Sequence, residues 1–300
     1  MTLINNIQNK YSLINLEDFK PLVINYSKNN HRKSNTQVYE RVFANAMSVI
    51  GNKSLSEIEP LDIEQFKNIR SQSVKKTTAN LELRTLKAIL NLAVKWNYIK
   101  INPAIDVKQF KISEKEREFI SESEMGVLID VIKDPKYKLL VRTAYYSGMR
   151  LNEIINLQWK DVELKEMIIK VRNKDNFETK TGKNRIIPLS SKLYEELIQY
   201  KNSLVQEESF TEDDYIFRNR RRKRYDKHYI SRTFKRYIRK AKLDDHYHFH
   251  TLRHTSLSTL ARKGIGIYDI KEIAGHSSIK TTELYLHTST ESLRKAIEQL

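Results

Sequence analysis

The sequence predicts a mainly α protein with one small β-sheet. Residues 79–94 contain neither glycine nor proline, and Leu83, Leu86, Leu90, Ala93 and Val94 fall on one stripe at helical spacing. Met167–Val171 and Arg185–Leu189 are short runs rich in isoleucine, where the hydrophobic period changes to that of strands. Helical patterning resumes near Ser191 and dominates to the end.

The elements follow in order. Residues 1–15 are too few for a domain and form a short N-terminal extension. From Leu16 to Ile105 the pattern is helical, and Pro103 stops it. Residues 106–118 are charged and aperiodic, which reads as a linker. Ser121 and Glu124 then form a capping-box pattern, with Ile120 and Met125 placed for a hydrophobic staple. Helical character runs from Tyr137 to Leu157, broken at Ser147-Gly148. The two strands are joined by the polar stretch 172–184, which contains Gly182 and is longer than a tight hairpin. A last helix is expected at 289–300, where Leu293, Ala296, Ile297 and Leu300 share a stripe. Three hundred residues suit two domains of ordinary size, here 16–105 and 119–300.

Charge narrows the partner. Lys plus Arg is 54 and Asp plus Glu is 37, giving a formal +17 and a pI near 9.7. Such a chain favours a polyanion, either nucleic acid or an anionic membrane surface. No apolar run reaches the roughly 18–20 residues that cross a bilayer, and the first ten residues lack the apolar core of an export signal. Both points favour nucleic acid and a cytoplasmic address. The absence of cysteine excludes disulfides, thiolate zinc sites and a cysteine nucleophile. Residues 217–240 hold twelve Lys or Arg against one acid, Asp226, with Tyr225, Tyr229, Phe234 and Tyr237 interleaved. Two readings remain open there: a solvated basic face, or a segment laid along a phosphate backbone.

Metal-free cleavage of a phosphodiester makes three demands. A nucleophile must lose its proton, charge on the non-bridging oxygens must be stabilised, and the leaving oxygen must gain a proton. Arginine matches the second demand, because its fork of donors fits a phosphate and stays charged. Arg150 and Arg253 are the candidates. Arg150 opens a helix whose Glu153 is near enough to orient it. His250 lies three residues before Arg253 on the same helical face, while His254 takes a structural role as a buried hydrogen-bonding group. Gly275 is a helix C-cap that places His276 in a turn, and Thr281-Thr282 start the helix carrying Tyr285. Two guanidinium groups beside a phenol favour its ionised form. No cluster of carboxylates accompanies the histidines, so no metal site is expected.

These motifs, in this order, resemble the tyrosine recombinase, or phage integrase, family. Ser147-Gly148-Met149-Arg150-Leu151-Asn152-Glu153 resembles its first arginine box. Residues 179–189 resemble the segment with the catalytic lysine, His250-Thr251-Leu252-Arg253-His254 the His-X-X-Arg box, and Gly275 to His287 the tyrosine box. Two departures, Ala274 and Leu286, touch no proposed proton or phosphate. The resemblance implies a helical core-binding (SAM-like) N-terminal domain and a mixed α/β catalytic domain, forming a clamp on double-stranded DNA.

It also implies residue roles. Tyr285 attacks the scissile phosphate and becomes joined to a DNA 3′ phosphate. Arg150 and Arg253 stabilise the transition state, with Glu153 supporting Arg150. Lys180 protonates the leaving 5′ oxygen, with Lys183 and Lys174 as rivals in the same connection. His250 assists proton transfer, and His276 donates to a phosphate oxygen. No cofactor or metal is implied. Lys227, Arg232, Lys235, Arg236, Arg220, Arg221 and Arg222 are the expected DNA contacts, with Arg232 reading a base or holding a phosphate. The tail at 289–300 would dock on a neighbouring protomer, giving a tetramer on two DNA sites, or an assembly with a paralogous recombinase. The expected reaction is site-specific recombination through a Holliday junction. Resolution of chromosome or plasmid dimers is favoured over integration of a mobile element. A type IB topoisomerase and a non-catalytic DNA-binding protein remain as rivals.

Overall fold

Asn15 opens the first helix: its side-chain oxygen accepts from the Asp18 amide at 2.8 Å, satisfying one of the unpaired donors of a helix start. The computed structural model describes residues 14–112, 119–175, 177–206, 210–286 and 298. The chain divides into two units, 1–115 and 116–300.

The first unit is built from α1 (Leu16–Asn30), α2 (Lys33–Ile50), α3 (Pro60–Ser73) and α4 (Lys76–Lys95). Their apolar stripes meet in a core that includes Phe19, Phe43, Phe66, Leu83, Leu86 and Leu90. Each such side chain contributes roughly 1.5–3 kcal/mol when fully buried. Leu83, Leu86, Leu90 and Ala93 of the expected stripe are buried, and Val94 is half-buried. Glu82 is buried too, because Arg70 grips it with Nε at 2.7 Å and Nη2 at 3.1 Å and Asn45 donates to it at 3.0 Å.

The stretch expected to be a linker departs from that reading at its start. Val107 is buried in the first unit, and the Asn80 side chain pairs with both backbone groups of Phe110 at 2.9 Å. The sequence looked aperiodic there because a loop held by one asparagine has no hydrophobic period. Residues 113–118 lie outside the described residues, as do 1–13 of the N-terminal extension.

The second unit begins at the anticipated capping box. Ser121 Oγ accepts from the Glu124 amide at 3.3 Å, and Glu124 returns the bond to the Ser121 amide at 2.8 Å. Its elements are α5 (Glu122–Val131), α6 (Pro135–Ser147), α7 (Leu151–Ile155), β1 (Val162–Glu163), β2 (Ile168–Val171), β3 (Arg185–Pro188), α8 (Ser191–Val205), α9 (Lys227–Lys240), α10 (Phe249–Arg262), α11 (Ile267–Ala274) and α12 (Lys280–Glu283). The antiparallel sheet has the order β1-β2-β3, with Ile169 opposite both Val162 and Ile187. Two strands were legible beforehand. The third, β1, has two residues, too few to carry a period.

The 172–184 connection is held by Asn173. Its amide accepts from the Thr179 N–H at 2.8 Å and donates to Gly182 O at 2.5 Å, while Asn184 accepts from the Asn173 N–H at 2.9 Å. Trp159, Leu140 and Phe234 lie in the core of this unit, fully buried. Apart from Glu298, the expected tail helix at 289–300 lies outside the described residues. Among the described residues no helix is long and apolar enough to cross a membrane.

Candidate active site

Helix α6 stops where Gly148 takes a left-handed φ of 61°. A Cβ there would stand 3.2 Å from Leu257 Cδ2 and 3.3 Å from Ser256 Oγ, so the turn needs glycine for conformation and for space. The turn leaves Gly148 O facing α10, and Arg253 Nη1 donates to it at 2.7 Å. Two residues on, Arg150 caps α7. Glu153, in the first turn of α7, accepts from the Arg150 amide at 2.9 Å and from its Nη1 at 3.1 Å.

The end of α11 draws these groups together. Carbonyls at a helix C-terminus lack helical partners and carry the negative end of the helix dipole. Three arginines from three different elements take three successive carbonyls. Arg185 Nε donates to Ile273 O at 2.9 Å, Arg253 Nη2 to Ala274 O at 2.7 Å, and Arg150 Nη2 to Gly275 O at 3.1 Å. Arg185 also grips Glu153 with both terminal nitrogens, at 3.1 and 2.7 Å. Two guanidinium groups thus bond to Glu153 while a third, Arg253, lies close enough to feel its charge, and positive charge is in surplus.

The titration behaviour follows from this packing. Burial pushes the Glu153 carboxyl up, but the hydrogen bond and charge of Arg185, then the amide and charge of Arg150, outweigh it and hold the group below the usual carboxylate range. Its folded value lies below its unfolded one. The stabilisation is therefore complete above the ordinary value of 4.5 and is lost as pH falls through the folded value. Thermal midpoints followed from about pH 6 down to about pH 3 are expected to fall more steeply for wild type than for Glu153→Gln. Parallel curves would refute that linkage. Arg253, 2% exposed, is pushed down to about 10 by burial and then by the charge of Arg150, with Glu153 and Tyr285 opposing. A guanidinium held this way is favoured by an arriving anion.

His276 continues the chain of contacts. Its Nε2 lies 2.9 Å from Arg253 Nη2, and its Nδ1 lies 2.9 Å from Thr282 Oγ1. Arginine only donates, so Nε2 accepts and Nδ1 carries the proton. Donation from Nε2 to a phosphate, the role implied by resemblance, therefore requires Arg253 to release it and Nε2 to gain a proton. The ring of Tyr285 stacks on His276 at 6.0 Å and 9°, and the phenol oxygen lies 2.8 Å from His254 Nδ1. Tyr285 is 2% exposed, against Leu257, Ile270 and Ala274. His250 is exposed and stands edge-on to His254, with ring centroids 4.6 Å apart. The phenol is thus hydrogen-bonded to His254, the histidine given only a structural role by the sequence.

The lysines separate cleanly. Lys174 donates to Asn156 O and Gln158 Oε1 at 2.8 Å and pairs with Asp161, so it is committed to structure. Burial pushes its ammonium down against the pull of Asp161. Lys180 sits exposed on the turn that Asn173 secures, and Lys183 is exposed a few residues further on. Among the described residues no group of three or more His, Asp and Glu is arranged to hold a metal ion.

The basic stretch is less uniform than its sequence suggested. Acids from outside it reach back: Asp214 pairs with Arg218 at 3.1 Å and with Arg222, and Asp245 pairs with Arg239 at 2.9 Å and Lys235 at 3.8 Å. Arg220, Arg221, Lys227, Arg232 and Arg236 are exposed. Tyr225 and Tyr229 stack at 5.5 Å beside them.

Residues 118–292 match the phage integrase family. This chain belongs to that family. A tyrosine recombinase XerC from Thermodesulfovibrio yellowstonii is 30% identical over 249 residues, covering 79% of this chain and 80% of the relative. The fold is that of the Tn1549 transposon integrase in complex with a circular intermediate DNA, with a TM-score of 0.82 at 19% identity over 96% of this chain and 100% of that one. A lambda integrase in a tetramer bound to a Holliday junction gives 0.73 at 20% identity, over 90% of this chain and 80% of that one. The protein is a tyrosine recombinase, an enzyme that breaks and rejoins DNA.

Two features of this recombinase escaped sequence reasoning. Arg185 lies within the 179–189 motif, where residue type alone gives it no role, and the sequence names no partner for His254. The signal for Arg185 was present. It shares a strand face with Ile187 and Leu189, both buried, so an arginine there needs a carboxylate to meet it. Nothing in the spacing could have told that His254 meets the phenol, since both histidines lie on α10.

Proposed function

We propose that Tyr285 is the nucleophile of an Xer-type reaction that cuts and rejoins two DNA sites through a Holliday junction. The observation that carries this reading is the set of arginines on 273–275 beside the stacked Tyr285 ring. Their surplus charge suits one phosphate, and the nucleophile lies one residue contact away through His276. Tyr285 leaves its cover to attack phosphorus. Its proton passes toward His254 and His250, the P–O5′ bond breaks, and Lys180 gives its proton to the departing oxygen. Arg150 and Arg253 hold the non-bridging oxygens, with His276 joining them once Arg253 turns to the phosphate and the freed Nε2 takes up a proton. The phosphotyrosine link retains the energy of the broken bond, so a new 5′ hydroxyl can reverse the step on another strand.

On this reading the first unit is the core-binding domain. Lys227, Arg220, Arg221 and Arg236 take phosphates, and Arg232 reads a base in the major groove. Lys235 and Arg222 join them only by opening their ion pairs with Asp245 and Asp214. The active assembly is a tetramer on two sites, or a mixed one with a paralogous recombinase. The XerC relative supports resolution of chromosome or plasmid dimers as the cellular task. The fold shared with a transposon integrase supports the second reading, integration of a mobile element.

The test is trapping. Wild type is incubated with a nicked duplex carrying the site, recovered by sequencing DNA trapped from a fragment library, and adducts are read on a denaturing gel. An adduct mapped to Tyr285 supports the proposal, and no adduct on any recovered duplex overturns it. Relaxation of plasmids that lack the site would favour a topoisomerase. Lys180→Ala is expected to slow cleavage by about 10²–10⁴-fold, the usual worth of a general acid. A 5′-bridging sulfur, whose leaving group needs no proton, should restore the rate; rescue of Lys183→Ala instead would move the acid to Lys183.

A further inference from the structure

Arg185 of β3, its side chain 7% exposed, is the third guanidinium at the end of α11, and although it lies within the 179–189 motif the reaction described above gives it no role. We propose that Arg185 is a positioning residue that sets the geometry of Arg150 and of the His276 turn, without touching DNA itself. This rests on the reading of Tyr285 and Arg150 above.

Each oxygen of Glu153 accepts twice, once from Arg150 and once from Arg185: Oε1 at 3.1 and 3.1 Å, Oε2 at 2.9 and 2.7 Å. The carboxylate is saturated, and its place is set as much by Arg185 as by its own helix. Arg150 is therefore aimed by a carboxylate that Arg185 holds. A third Arg185 donor, Nε, fixes Ile273 O, two residues before the glycine whose carbonyl Arg150 takes. The fit is close. A Cβ on Gly275 would lie 2.9 Å from Arg185 Nη1, 3.0 Å from its Cδ and 3.1 Å from its Cζ. Arg185 thus ties three segments together: α7, the end of α11, and the strand that follows the Lys180 turn. Its own side chain is 7% exposed with its donors turned inward, which leaves it poorly placed to take a phosphate.

The expected behaviour separates positioning from both binding and folding. Lysine keeps the charge at 185 but cannot fork onto Glu153 and reach Ile273 O at once. Single-turnover cleavage of a nicked site duplex by Arg185→Lys should fall about 100-fold, the scale of an ångström-sized misplacement. The slope of log affinity against log salt should stay that of wild type. Arg150→Lys alone should fall about 10³-fold, and the double variant should match it within about twofold, because the two residues act as one unit.

Three results would overturn the proposal: an unchanged cleavage rate, a double variant whose loss is the product of the single losses, or a salt slope lower by about one, which marks a lost phosphate contact. If Arg185→Lys loses its cooperative thermal transition, Arg185→Gln carries the same cycle under the same criteria. Wild type and Tyr285→Phe run alongside. If wild type yields no adduct, the reading of the reaction has failed; if wild type traps and Arg185→Lys traps equally fast, only the role of Arg185 has failed.

Discussion

Tyr285→Phe is expected to form no covalent adduct with a nicked site duplex, a loss of at least about 10⁵-fold, the scale on which removing a covalent nucleophile acts. The substitution removes one oxygen. The ring stack on His276 and the packing against Leu257, Ile270 and Ala274 remain. The deleted hydroxyl leaves His254 Nδ1 without its 2.8 Å phenol contact, but His254 is only half-buried and water can replace that partner. Fold and DNA affinity should therefore hold while chemistry stops. Gel shift, thermal melting and adduct trapping on the same preparation check all three. An adduct of undiminished yield in Tyr285→Phe would remove Tyr285 from the reaction.

The second large effect is expected at Arg253. Arg253→Ala removes the donors that meet Gly148 O, Ala274 O and His276 Nε2. In the ground state this leaves buried acceptors from two turns unpaired, at about 1–3 kcal/mol each. It also releases His276, on which Tyr285 stacks. On the proposed mechanism it also removes a charge-assisted donor to the phosphate, worth about 10²–10³ in rate. Both losses act together, so trapping should fall by at least about 10³-fold and the thermal midpoint should drop by several degrees. Differential scanning fluorimetry and single-turnover trapping measure the two losses. Arg253→Lys keeps charge but not the fork, and should recover part of the stability with little of the rate. Recovery of full rate by lysine would show that charge alone suffices and that the carbonyl seat is incidental.

Much of the second unit was legible before any coordinates. The Ser121–Glu124 cap, the break at Gly148 and the C-cap at Gly275 follow from local chemistry, and all three appear where that chemistry put them. Local signals survive because each depends on residues within a few positions of one another. The linker was less legible. Its first part is held to α4 by Asn80, thirty positions away in sequence, and no local pattern records such a bond. The basic stretch misled in the same way. Counting charges along the chain gave nearly uncompensated positive charge, whereas Asp214 and Asp245 fold back to pair with four of its members.

The order of arginine, lysine, histidine, arginine and tyrosine along the chain, together with net charge, already determined the kind of chemistry and the kind of partner. Those depend on residue types, which sequence records completely. Tertiary structure alone decided which groups meet. It chose His254 for the phenol, took Lys174 out of contention by tying it to Asp161, covered Tyr285, and recruited Arg185 to the carboxylate that aims Arg150. The physical reason is distance. Hydrogen bonds and ion pairs act over about 3 Å, and the end of α11 collects arginines from α10, β3 and the start of α7 whose separation along the chain says nothing of their separation in space.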